Sequence, residues 1–203
     1  MKRITALLLV LLMLLSVTGC KQESEVPALT DAQAEQILSS LLPLSNQLMQ
    51  VCYGKGLDYV KPDSVLEYDG VQYEPVKEGQ LYSSISAIRA DMAKVFTKSY
   101  QKELAVTMFE GYEMPDQTTE EGQELLDEII LPRYREQEGV LQIDIKYKSF
   151  DLTDFPTHVG AKVVKGNATR VTVQLSYEKD GSDTTRVTLR LENGVWLLDG
   201  PSY

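Results

Sequence analysis

The sequence predicts an α+β fold, with N-terminal helices packed on one face of a curved antiparallel sheet. Three observations predict it. Apolar residues in the first half recur at helical spacing, over 37–49 and again over 85–96. From Gly139 onward the apolar period switches to two. Asp-Gly and Asn-Gly pairs fall between the alternating runs, where hairpins need positive φ.

The elements follow in chain order. Thr30 and Gln33 form a capping box ahead of a helix over about 30–51. Ile37, Leu38, Leu41, Leu42, Leu44, Leu48 and Met49 make its apolar face, Pro43 should kink it, and Gly54 and Gly56 stop it. Leu66 to Tyr73 reads as a small hairpin around Asp69-Gly70. Ser83 or Ser84 caps a second helix carrying Ile85, Ile88, Met92, Val95 and Phe96. Thr97 or Ser99 starts a third, with Tyr100, Leu104, Met108 and Phe109, ending at Gly111. Thr118 and Glu121 suggest one more capping box, leading to Leu125, Leu126, Ile129 and Ile130, with Pro132 as the stop.

The second half reads as strands. Leu141, Ile143, Ile145 and Tyr147 alternate with polar residues. So do Val171, Val173, Leu175 and Tyr177, and then Val187, Leu189 and Leu191. A strand around Ala161 to Val164 reverses at Lys165-Gly166-Asn167, Asp180-Gly181 makes a second turn, and Asn193-Gly194 fits a two-residue type I′ hairpin. One face of such a sheet is buried and the other wet.

The first twenty residues set the address. Lys2 and Arg3 precede an apolar run from Ile4 to Val17, which is shorter than the roughly 20 residues a bilayer needs. Basic start, apolar middle and small residues at the cut describe a secretory signal over 1–19. Val17-Thr18-Gly19-Cys20 resembles the lipobox of a bacterial lipoprotein. The resemblance implies a diacylglycerol thioether on Cys20, with acyl chains of the palmitate class, and Cys20 as the mature N-terminus. The alternative is a plain signal peptide with a chance cysteine. Residues 20–29 are polar and aperiodic and read as a tether spanning roughly 30 Å. Residues 30–203 then form a single domain on the outer face of the cytoplasmic membrane.

The formal charge is −10. Signal cleavage takes away Lys2 and Arg3 and no acid, so the mature chain carries −12. As a whole-molecule field this repels nucleic acid, anionic lipid and anionic wall polymer, and favours a basic partner; its plainer use is solubility. There are two cysteines. With Cys20 lipidated, Cys52 has no disulfide partner, and its place after an apolar helix suits a buried thiol rather than a nucleophile. No CxxC, HExxH or histidine cluster is present, so neither a metal nor another cofactor is expected.

Catalytic candidates are few. The single histidine, His158, ends a long loop that also holds Asp151 and Asp154, an acid–base cluster if they converge. No GxSxG, phosphate loop or dinucleotide fingerprint is found. The same loop carries Phe150, Leu152 and Phe155 among its acids, which suits partner contact as well as it suits tucking into the core. A second connection, 110–122, is acidic and reads as a rim or a solvated link. Eleven tyrosines against four phenylalanines raise the idea of a pocket, with Tyr68, Tyr73, Tyr82 and Tyr100 as lining or as ordinary core.

Two family resemblances add to these readings. Val163 to Val171, followed by Thr188 to Asp199 with its Leu-Glu-Asn-Gly-Val-Trp hairpin, resembles the closing sheet of cystatin-like and nuclear-transport-factor-2-like extracellular domains. Tyr73-Glu74-Pro75-Val76, the segment Ser83 to Thr97, and Pro132 to Leu141 with the strands that follow resemble the IseA family of D,L-endopeptidase inhibitors. That second resemblance implies a non-enzymatic protein of Gram-positive bacteria that plugs the cleft of a peptidoglycan hydrolase, an autolysin. The partner-contact residues expected from the loop are Phe150, Asp151, Leu152, Asp154, Phe155 and His158. Two alternatives stay open: a small-ligand lipoprotein with a tyrosine-lined pocket, and a hydrolase or isomerase using His158 with Asp151 or Asp154.

Overall fold

The computed structural model describes residues 28–65, 70–114, 128–150, 152 and 157–201. The chain is α+β. Helix α1 (Asp31–Cys52) begins at Thr30, whose hydroxyl accepts from the Gln33 amide while the Gln33 side chain accepts from the Thr30 amide. This is the reciprocal capping box written in the sequence. The helix runs on through Pro43 without interruption. Strand β1 (Tyr73–Pro75) follows, then α2 (Ile85–Val95), capped by Ser84, and α3 (Lys98–Ala105), capped by Thr97. A π-helical turn, Val106–Glu110, extends α3 to Gly111. The remaining strands are β2 (Tyr112–Met114), β3 (Glu128–Ile130), β4 (Tyr134–Gln137), β5 (Val140–Asp144), β6 (Gly160–Gly166), β7 (Arg170–Ser176), β8 (Thr184–Glu192) and β9 (Val195–Leu198).

All strand pairing is antiparallel, and the strands divide between a three-stranded sheet ordered β1-β5-β4, a separate β2–β3 pair, and a four-stranded meander β6-β7-β8-β9. In the meander, Val171 lies opposite Leu189 and Val173 opposite Val187. These residues, with Leu175 and Leu198, are fully buried under the helices. Leu38, Leu48 and Met49 of α1 and Ile88 and Met92 of α2 complete the same core, which also takes in Tyr134, Leu141 and Ile143 of the smaller sheet. Each edge strand of the meander makes a hydrogen bond outside the sheet. The Asp31 carboxylate accepts from the Val163 amide on β6 at 2.7 Å, and the Thr97 amide donates to the Leu198 carbonyl on β9 at 2.9 Å. Open strand edges invite pairing with other chains, and these contacts occupy one position on each edge. The β8–β9 turn has Asn193 at φ 51° and Gly194 at φ 81°, the two positive values a type I′ turn requires.

Some expectations change. Ile129 and Ile130 belong to strand β3, paired with β2, and not to a helix; Thr118, Glu121, Leu125 and Leu126 lie outside the described residues. Leu66 to Asp69 also lie outside them. Tyr73 pairs with Asp144 of β5, so this segment joins the three-stranded sheet. Strand β5 ends at Asp144, before Ile145 and Tyr147. No helix among the described residues is long and apolar enough to cross a membrane.

Candidate functional site: a cleft at the end of helix α1 and the loop that borders it

Helix α1 ends without a basic residue in its last turn, so its terminal carbonyls and the negative end of its dipole need outside partners. Arg133 and Tyr134 provide them from the start of β4. Arg133 Nη1 donates to the Cys52 carbonyl at 2.5 Å, and Nη2 to the Gly54 carbonyl at 2.7 Å. The Tyr134 hydroxyl donates to the Val51 carbonyl at 2.9 Å and accepts from the Leu57 amide at 3.2 Å. The guanidinium is buried, sits 4.4 Å from the Tyr147 ring centroid, and leaves its Nε without a partner. Gly56, at φ 79°, completes the turn. A Cβ there would fall 2.5 Å from Arg133 Nη2 and 2.7 Å from Ile143 Cδ1, so both backbone and space demand glycine.

Arg133 and Leu57 help to wall a cleft of about 510 Å³ between the end of α1, the end of β5, and Tyr147, Ser149, Phe150 and Leu152. Asp144 lies in its wall, nearly buried, and accepts from the amides of Gln72 at 3.1 Å and Lys146 at 3.0 Å. Tyr59 and Tyr147 are its tyrosines. At the rim, Lys55 and Asp58 pair at 2.8 Å in solvent. The described lining therefore holds charges already bound to backbone or to each other. Its one hydroxyl of nucleophile type, Ser149, has no histidine beside it in that lining. Cys52 is buried, and burial pushes its thiol up from 9.0 to about 12, which keeps it protonated and inert.

The loop of the sequence reading is pinned along α1 at three points. The Phe150 amide donates to the Tyr53 carbonyl at 2.8 Å, and its ring meets the Tyr53 ring edge-on with centroids 6.4 Å apart. The Leu152 carbonyl accepts from the Gln50 side chain. His158 Nε2 lies 2.8 Å from Glu35 Oε1, with the histidine side chain almost wholly covered. Phe150 stays 63% exposed although its backbone is held, while Leu152 packs toward the core. Asp151, Asp154 and Phe155 lie outside the described residues, as does Cys20. The described carboxylate partner of His158 is Glu35, 123 residues away, and nothing in the local pattern announced it. Glu35, Gln50 and Arg133 were all missed. The missing cation in the last turn of α1 was the one available signal for Arg133.

The tyrosines separate. Tyr82 and Tyr100 are core. Tyr82 donates to Asp91 Oδ2 at 2.9 Å and accepts from Gln47 at 3.2 Å, and the Tyr100 hydroxyl lies 4.0 Å from Met49 Sδ. Tyr73 binds the Pro132 carbonyl, and Tyr68 lies outside the described residues. None of these four is in the described lining of the cleft. Among the described residues, no group of three or more His, Cys, Asp or Glu side chains could hold a metal ion.

No protein-family model matches the chain, and no curated protein is detectably similar to it.

Proposed function

We propose that this chain is a lipid-anchored extracytoplasmic binding protein that inhibits a peptidoglycan D,L-endopeptidase by laying its 149–158 segment into the enzyme's active-site cleft. The observation that carries this reading is Phe150. It is an exposed aromatic whose own amide is held by the Tyr53 carbonyl, two residues before the Leu152 carbonyl held by Gln50, with the His158 side chain held by Glu35. Aromatic anchors presented on a preformed backbone bind without the ordering cost of a free loop. The acidic charge supports a basic wall hydrolase as target, and would raise the rate of encounter more than the final affinity. The lipobox-like Val17-Thr18-Gly19-Cys20 supports the anchor and the location.

The test uses the chain from residue 20 with Cys20→Ser, titrated against a purified D,L-endopeptidase. The reading expects inhibition at one-to-one stoichiometry, with association faster at low salt. Absence of binding to a panel of wall hydrolases would reject it.

A second reading is favoured by the cleft itself. About 510 Å³ with Tyr59, Tyr147 and Arg133 in its described lining would take a small ligand. A thermal-shift screen of small carboxylates separates the two. A specific rise in Tm lost in Tyr147→Ala would favour the ligand.

A further inference from the structure

The open face of the four-stranded sheet is basic, although the chain as a whole is strongly acidic. Strands β6 to β9 contain five basic residues, Lys162, Lys165, Arg170, Arg186 and Arg190, and one acid, Glu192. The register puts all five cations on the side away from the helices. Lys162 lies across from Gln174 and then Arg186; Lys165 lies across from Thr172 and then Thr188; Arg170 lies across from Arg190. A β-bulge between Val163 and Lys165 makes this possible, because it shifts the alternation by one and turns Lys165 outward. Asp199 lies 3.4 Å from Arg170 and 3.9 Å from Arg190. Among the described residues no carboxylate lies within 4.0 Å of the Lys162, Lys165 or Arg186 cations. Lys165, Arg170 and Arg186, with Thr172 and Thr188, border a shallow groove of about 450 Å³. Cations interleaved with hydroxyls suit a phosphodiester.

The chain also leaves the domain at this groove. The Ala28 amide donates to the Asn167 carbonyl at 3.3 Å, Asn167 lines the groove, and Leu29 is buried in the core. Seven residues separate Ala28 from Cys20, so the eight Cα–Cα steps reach at most about 28 Å. A lipid on Cys20 therefore holds the domain by the end of the sheet that carries the cations.

We infer that the open face of the β6–β9 sheet is a membrane-docking surface that rests on anionic phospholipid headgroups. This rests on the lipid-anchor reading for its biological setting, but the face can be tested without the lipid. Whole-chain charge predicts repulsion from anionic lipid. The local distribution reverses that prediction, because charges beyond about 8 Å are screened at physiological ionic strength and only the facing side is felt. Docking this way also turns the helices, and the loop pinned along α1, away from the bilayer.

The experiment is co-sedimentation of the chain from residue 20, carrying Cys20→Ser, with phosphatidylglycerol-containing vesicles, pure phosphatidylcholine vesicles, and soluble anionic wall polymer. The expected result is binding to the anionic vesicles alone, weakening as salt rises. Lys165→Gln and Arg186→Gln should each lower the partition coefficient about five-fold, from about 1 kcal/mol per cation near an anionic surface. No binding to anionic vesicles at low salt would overturn the inference. So would equal binding by the variants, or preference for the soluble polymer over vesicles. Lipidation is read separately, by mass spectrometry of the chain recovered from the membranes of expressing cells. Unmodified Cys20 would sink the anchor reading and leave the vesicle result standing.

Discussion

The two larger sheets are built by different physics. The four-stranded meander has its strands in sequential order, and its most deeply buried residues are aliphatic: Val171, Val173, Leu175, Val187, Leu189 and Leu198. The three-stranded sheet has short strands in the order β1-β5-β4, and polar side chains pin it. Arg133 and Tyr134 bind the end of α1, and Asp144 binds the amides of Gln72 and Lys146. The first sheet is held by area removed from water. The second is held by directed contacts whose loss leaves buried groups unsatisfied. The cleft lies beside the second sheet, with Arg133 and Asp144 in its lining.

Mutations should expose the contrast. Leu189→Ala, in the middle of the meander, should cost about 3–4 kcal/mol as transfer loss plus cavity, seen as a lowered denaturant midpoint with the slope unchanged. Arg133→Met keeps the volume but strips two buried carbonyls of their donor. It should cost about 3 kcal/mol. Hydrogen exchange should show its loss concentrated in residues 50–59, whereas the loss in Leu189→Ala spreads over β6–β9. Gly56→Ala should cost about 2 kcal/mol, from the left-handed backbone and the crowding against Arg133 and Ile143. Thr30→Ala removes only a cap on exposed backbone and should cost about 1 kcal/mol.

Alkaline pH sharpens the same comparison, since the groups raised furthest lie outside the meander. Burial raises Cys52 from 9.0 to about 12. Burial, with the Asp91 hydrogen bond second, raises Tyr82 from 10.0 to about 12, and burial, with nearby Asp144 second, raises Tyr73 from 10.0 to about 12. A folded pKa above the unfolded one means that the native state keeps its protons longer. The stabilisation is then complete below the unfolded values and is lost as pH rises through the folded ones. Stability should fall between about pH 9 and 12. Cys52→Ala should delay the onset of that fall, which pH-dependent urea midpoints would reveal.

The meander was legible because alternation over five to nine residues, ended by Asn-Gly or Asp-Gly, leaves little choice of face. The helices were legible from their caps, with Thr30, Ser84 and Thr97 all in the expected role. Strand β4 was not, because Tyr134-Arg135-Glu136-Gln137 offers one buried residue and three exposed ones, too few to define a period. Ile129 and Ile130 read as helix because spacing among a few apolar residues cannot distinguish a helix turn from a short buried strand. Of the candidate site, Phe150 and His158 were visible and their anchors were not. Tyr53 holds Phe150 from the far end of α1, and Gln50 and Glu35 lie more than 100 residues from Leu152 and His158, which they hold. The basic face was invisible for a different reason: a net charge is a sum, and −10 conceals five cations that only the register brings to one side.

The central claim is that the helix-pinned segment around Phe150 engages the target enzyme while the basic sheet face does other work. The most direct test compares inhibition constants against one D,L-endopeptidase for the unlipidated chain, for Phe150→Ala, and for the Lys165→Gln/Arg186→Gln pair, each with its Tm checked. The account predicts that Phe150→Ala weakens inhibition at least about 30-fold, the loss of one aromatic anchor worth about 2 kcal/mol, while the sheet pair changes it less than about two-fold. Unchanged inhibition by Phe150→Ala at unchanged Tm, or loss confined to the sheet pair, would contradict it.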